Sequence, residues 1–99
     1  MEPERSGDET SPLLAALIGQ VVVVDLIAPD VCLGTLVRLD REFLELADAD
    51  LHDFRDSAAS REVYIYDSVR LGIRRNRARV LLRRREVVAL TRFDDVATS

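Results

Sequence analysis

Between Pro12 and Asp50 the sequence places a capped helical turn and three β-type runs almost end to end: PLLAALIGQVVVVDL, VCLGTLVRLD and EFLELADAD. An arginine-loaded run, RARVLLRRREVVALTRF, follows and ends at Phe93; it reads as two further strands pinched around Arg84–Glu86. One short helix and five short strands bury their apolar faces best by curling into a small barrel.

Local punctuation supports this reading. Ser11 is a helix-capping residue and Pro12 is tolerated at the first helical position. Leu13, Leu14, Leu17 and Ile18 share one helical face, and Gly19 stops the helix because it can adopt positive φ. Val21 to Ile27 is apolar except at Asp25, which predicts a strand covered on both faces. Pro29-Asp30 marks a turn. Val31 to Asp40 is the second strand, and Gly34 inside it marks a sharp bend or close backbone approach. Phe43 to Ala49 is the third strand, and residues 50–61 read as an acidic loop. From Glu62 to Ile73 apolar residues alternate, with Tyr64, Tyr66 and Arg70 on the opposite face. This period predicts a half-buried strand, and a long hairpin projecting from the barrel over 62–84.

At 99 residues the chain is one domain. No stretch approaches the roughly 20 apolar residues of a membrane span. Residues 1–10 are expected to form a disordered acidic tail, residues 11–93 the folded domain, and residues 94–99 a frayed end. MEPERSGDETS lacks the apolar segment of an export signal, and the one cysteine, Cys32, cannot form an internal disulfide. These features set the expectation of a cytoplasmic protein. Cys32 itself reads as a buried hydrophobe.

The net charge of −4 hides a segregation: Arg70–Arg92 holds nine arginines and one acid, Glu86. Every cationic side chain in the chain is arginine, whose planar fork pairs with phosphate and stacks on rings. This basic run fits an anionic polymer, an acidic neighbouring subunit, or a plain compositional bias. His52 lies among Asp48, Asp50, Asp53 and Asp56 without a defined metal-ligand spacing, so a solvated acidic loop is expected and no metal. No catalytic motif stands out, so neither an enzyme nor a cofactor is expected.

The residues from Pro12 to Phe93 resemble the Sm and Sm-like (LSm) family. The family's first motif is similar to Leu17-Ile18-Gly19, then Val22, Val24 and Leu26, then Gly34-Thr35-Leu36 and Asp40, with Phe43 at the Met or aromatic position and Asp48-Ala49-Asp50 at its end. Its second motif resembles Leu82-Arg83-Arg84-Arg85-Glu86-Val87. The resemblance implies a mostly β, SH3-like, strongly bent five-stranded antiparallel barrel behind an N-terminal helix. It further implies homo-hexameric or homo-heptameric rings that bind single-stranded RNA near the pore. The implied RNA-binding residues are Asp40, Phe43, Arg83, Arg84 and Arg85, with Arg74, Arg75 and Arg77 as candidate outer phosphate contacts. Leu44 stands where the family has a base-reading Asn, and Arg84 where the second motif has Gly. The expectation is therefore sequence-tolerant binding rather than strict uridine reading. The alternative is a structural adaptor ring that joins proteins without nucleic acid.

Overall fold

The computed structural model describes residues 11–55 and 60–97. A short helix, α1 (Pro12–Ala15), precedes three strands, β1 (Val21–Leu26), β2 (Asp30–Leu39) and β3 (Phe43–Asp53). A second helix, α2 (Arg61–Leu71), leads into β4 (Arg77–Arg83). A 3-10 turn at Arg84–Glu86 joins β4 to β5 (Val87–Arg92), and another spans Phe93–Asp95. The strands form one antiparallel sheet in the order β4-β3-β2-β1-β5. Among the described residues no ladder joins β4 to β5, so the sheet bends without closing. No described helix is long and apolar enough to cross a membrane.

The N-terminal punctuation acts as its chemistry requires. The Ser11 hydroxyl accepts from the Leu14 N–H at 3.4 Å, and Gly19 adopts φ 89°. The helix is shorter than the spacing predicts: regular hydrogen bonding ends at Ala15. Leu17 reaches the core, whereas Leu13 and Ile18 are exposed.

Alternation along the strands builds two apolar layers. Val22, Val24, Cys32, Leu36, Leu44, Leu46 and Leu82 point into the bend and form the main core. Val23, Val31 and Leu33 point to the opposite face, where Tyr64, Ile65, Phe54 and Ile73 cover them. Strands β1 and β2 are thus buried on both faces, the arrangement that an unbroken apolar run permits.

The bend comes from irregular pairing of β2 with β3. Leu33 opposes Asp50 and Thr35 opposes Ala47, so β3 carries one extra residue there, and Asp48 adopts φ 51°. Such bulges sharpen local twist. Gly34 sits inside this bend. A Cβ on it would lie 3.0 Å from both the Ala47 carbonyl oxygen and Ala49 Cβ.

The segment expected to be a strand over 62–73, and with it the projecting 62–84 hairpin, is corrected to helix α2. Ser60 caps it by accepting from the Val63 N–H at 3.2 Å, and Glu62 lies in the first turn. Gly72, at φ 98°, ends it with its N–H on the Ser68 carbonyl at 2.9 Å. Tyr64 and Ser68, one turn apart, face the sheet, and the phenol of Tyr64 donates to Asp50. Burial first, and then this bond, raise the Tyr64 pKa and keep the phenol protonated.

Two further expectations change. Strand β3 runs on to Asp53, so Asp50 is a buried strand residue rather than part of a solvated loop. Asp94 and Asp95 complete a 3-10 turn and Val96 packs against the second apolar layer, so 94–96 are not frayed. The expected tail at 1–10 lies outside the described residues.

Gly34→Ala forces the crowded β3 backbone apart and should cost about 1–3 kcal/mol in urea denaturation, an overpacking penalty. Cys32 is buried, and desolvation, with the Asp50 charge second, pushes its thiol from 9.0 up to about 12. A thiol reagent at pH 8 should therefore label it only after denaturant is added. Because the folded value is the higher one, its contribution to stability is intact below about pH 9 and is lost as pH rises towards 12.

Candidate nucleic-acid interface

At one end of the sheet the β2–β3 connection meets the turn between β4 and β5. Asp40 organises the first. Its Oδ1 accepts from the Glu42 and Phe43 N–H groups, each at 2.8 Å, and its own N–H donates to the Phe43 carbonyl at 3.0 Å. Arg84 ties the second loop to the first: its N–H donates to the Glu42 carbonyl at 2.8 Å and its guanidinium to the Asp40 carbonyl at 2.6 Å. Asp40 and Arg84 therefore shape the site.

This tie leaves Phe43 and Arg83 side by side, because they are register partners across β3 and β4. Phe43 is half-buried and Arg83 exposed. Arg83 and its exposed neighbour Arg85 make no ion pair among the described residues. A flat ring beside an unengaged guanidinium can hold a base by stacking and a phosphate by charge. A groove of about 410 Å³ opens beside Phe43, lined also by Arg38, Leu39, Asp40, Glu45 and Leu81.

The two departures from the motif now have physical readings. Leu44 is 1 % exposed and sits opposite Leu82 in the main core, where it cannot touch a base. Arg84 begins a 3-10 turn at negative φ, so that turn does not require glycine.

Arg74, Arg75 and Arg77 lie at the other end of β4, about 20 Å from Arg83 along the strand. Arg75 is paired with Asp48 at 2.6 Å. Arg77 donates to the Asn76 carbonyl at 3.1 Å. Arg74 borders a separate cleft of about 540 Å³ between α2 and β3, with Asp50, His52, Tyr64 and Asp67. These three arginines do not join the Phe43 site.

Two groupings were not anticipated from sequence. Asn76 bridges to β3: its Oδ1 accepts from the Leu51 N–H at 3.0 Å, while its Nδ2 reaches Asp50 Oδ1 and the Leu51 carbonyl, each at 3.1 Å. His52 stacks on Tyr64 with ring centroids 4.3 Å apart. Among the described residues no His, Cys, Asp and Glu group is placed to hold a metal ion; Asp56 lies outside them.

Known structures share this fold. The Sm protein of Pyrococcus abyssii, solved with a uridine heptamer, superposes with a TM-score of 0.56 at 17 % identity, covering 81 % of this chain and 92 % of that one. The Sm-like protein AF-Sm2 of Archaeoglobus fulgidus gives 0.56 at 15 %, covering 83 % and 91 %. The chain has the Sm-like fold. A chain of the NatC complex bound to CoA is also similar, at 0.52 and 22 % identity, covering 79 % of this chain and 80 % of that one. No protein-family model matches the sequence, and no curated protein does. At these identities the likeness is one of fold.

The tie between the two loops is testable. Asp40→Ala removes the acceptor of two amides, so hydrogen exchange measured by NMR should quicken at Glu42 and Phe43 and stay slow at Leu46. The Phe43 N–H, then the Glu42 N–H, hold the Asp40 carboxyl below its ordinary value. Its contribution is thus present above the usual carboxylate range and is lost only as pH falls through the lowered folded value.

Proposed function

We propose that this protein is an Sm-like, ring-forming, non-enzymatic protein of the cytoplasm that binds single-stranded RNA without strict uridine specificity. The observation that carries the reading is the pairing of Phe43 with Arg83 beside Arg85, at the loop end tied by Asp40 and Arg84. Phe43 supplies the stacking surface, and Arg83 and Arg85 supply charge. Leu44 offers no hydrogen-bonding group to select a base, which favours sequence tolerance. The solved relative that carries a uridine heptamer supports RNA as the ligand.

Ring formation draws on the open sheet. Strands β4 and β5 are both edges, and each exposes an apolar residue, Leu81 at 59 % and Val88 at 66 %. Pairing β4 of one subunit with β5 of the next would satisfy both edges and, in a six- or seven-membered ring, leave none open.

A second reading is an adaptor ring that joins proteins and binds no nucleic acid. Its support is that Arg38, Arg75 and Arg79 are already paired with acids, and that a chain within the NatC complex shares the fold.

Fluorescence-anisotropy titration with labelled oligo-U, oligo-A and mixed RNA separates the two. The RNA reading expects similar affinities across sequences and a steep fall with salt. Phe43→Ala should weaken binding by about tenfold or more, the scale of one lost stacking contact of about 1–3 kcal/mol. Arg83→Ala should weaken binding and flatten its salt dependence. A correctly sized ring that binds none of the oligomers at low salt supports the adaptor.

A further inference from the structure

The outer face of β2, β3 and β4 carries a second arginine group that the loop site does not use. Glu45, 8 % exposed, stands between two strands' worth of cation. Arg38 of β2 donates its Nε–H to Glu45 Oε1, and Arg79 of β4 donates to Oε2 at 3.0 Å. The register explains the arrangement: Arg38 is opposite Glu45, and Arg79 is opposite Ala47, the next residue of β3 on the same face.

The grouping has more than a packing role to offer. Glu45 faces two guanidiniums, and Asp40, which also acts on Arg38, has Arg84 beside it, so three guanidiniums stand against two carboxylates and positive charge is in excess. Arg38 and Arg79 side chains are 79 % and 62 % exposed, and each uses a single N–H on Glu45, leaving most donors turned to solvent. The hydrogen bond from Arg38, then that from Arg79, lowers the Glu45 pKa, so the anchor is ionised at neutral pH. Anchored guanidiniums lose less freedom when they bind a further anion. The groove beside Phe43 is lined by Arg38 and Glu45, so the group adjoins the loop site directly. Backbone pairing along the β4 edge would leave these side chains uncovered, because they stand off the sheet face.

We propose that Arg38 and Arg79, held by Glu45, clamp the phosphodiester backbone of the RNA strand after it leaves the Phe43–Arg83 stack. The inference rests on the RNA reading above and extends it to a second contact on the outer face. Arg79 and Arg38 thus supply the outer phosphate contact that Arg74, Arg75 and Arg77 are too distant to share with Phe43.

The test uses the assembled full chain and the triple variant Arg38→Gln, Glu45→Gln, Arg79→Gln, which leaves no buried carboxylate without partners and changes net charge by one. Two labelled single-stranded RNAs are titrated against both proteins over a salt series, one of about 4 and one of about 16 nucleotides. The triple variant should bind the long RNA about tenfold or more weakly. The slope of log affinity against log salt should fall by about 1.4, for two lost phosphate contacts on a single strand. Because Arg38 and Glu45 also border the Phe43 groove, short-RNA affinity should fall, but by much less than long-RNA affinity. An equal loss on both RNAs would overturn the clamp by confining these arginines to the loop site. Unchanged long-RNA affinity and slope in a variant of native size would overturn the clamp while leaving the Phe43 site standing. A variant that falls apart into monomers would also overturn it, by assigning the arginines to subunit contacts. Failure of the wild-type protein to bind either RNA would remove the RNA reading itself, and the clamp with it.

Discussion

The close approach of β2 and β3 at Gly34 is the constraint on which the rest of the molecule depends. With no side chain there, the Ala47 carbonyl and Ala49 can sit where a Cβ would lie, and the strands turn sharply at the Asp48 bulge. The bend lets two long strands serve separate purposes along their length. Near one end they hold Val31 and Leu33 under α2; near the other they carry Leu36, Leu44 and Leu46 into the main core and leave Phe43 at its rim.

From that geometry the site follows in steps. Asp40 closes the β2–β3 connection on two amides, Arg84 ties it to the turn after β4, and register places Arg83 next to Phe43. Arginines of this chain therefore divide by task. Arg84 is a tether, Arg75 neutralises Asp48, Arg38 and Arg79 share Glu45, and Arg83 and Arg85 make no ion pair among the described residues. A basic run in sequence does not become one basic patch, because strand β4 carries its two ends about 20 Å apart.

Much of the fold was legible in the residues. Ser11, Gly19 and Asp40 each impose a local conformation that no distant contact needs to supply, whereas the valine run and Gly34 mark where strands must be covered or approach closely. Helix α2 was not legible from periodicity. Val63, Tyr64, Ile65 and Tyr66 are β-prone residues, and Val63, Tyr66 and Leu71 remain exposed, so no clean helical stripe exists. The pair Ser60 and Gly72, a cap and a stop at helical separation, was the available signal. The Arg38–Glu45–Arg79 group depends on a register shifted by two irregularities in β2–β3 pairing, which residue spacing alone does not reveal.

RNA held on the Phe43–Arg83 pair would lie within cross-linking reach of the Phe43 ring. Ultraviolet cross-linking of the assembled protein to single-stranded RNA, followed by peptide mapping, should then give an adduct on Phe43 that disappears with Arg83→Glu while the ring size is unchanged. Adducts confined to Tyr64 or Tyr66, on the α2 side of the molecule, would contradict that placement.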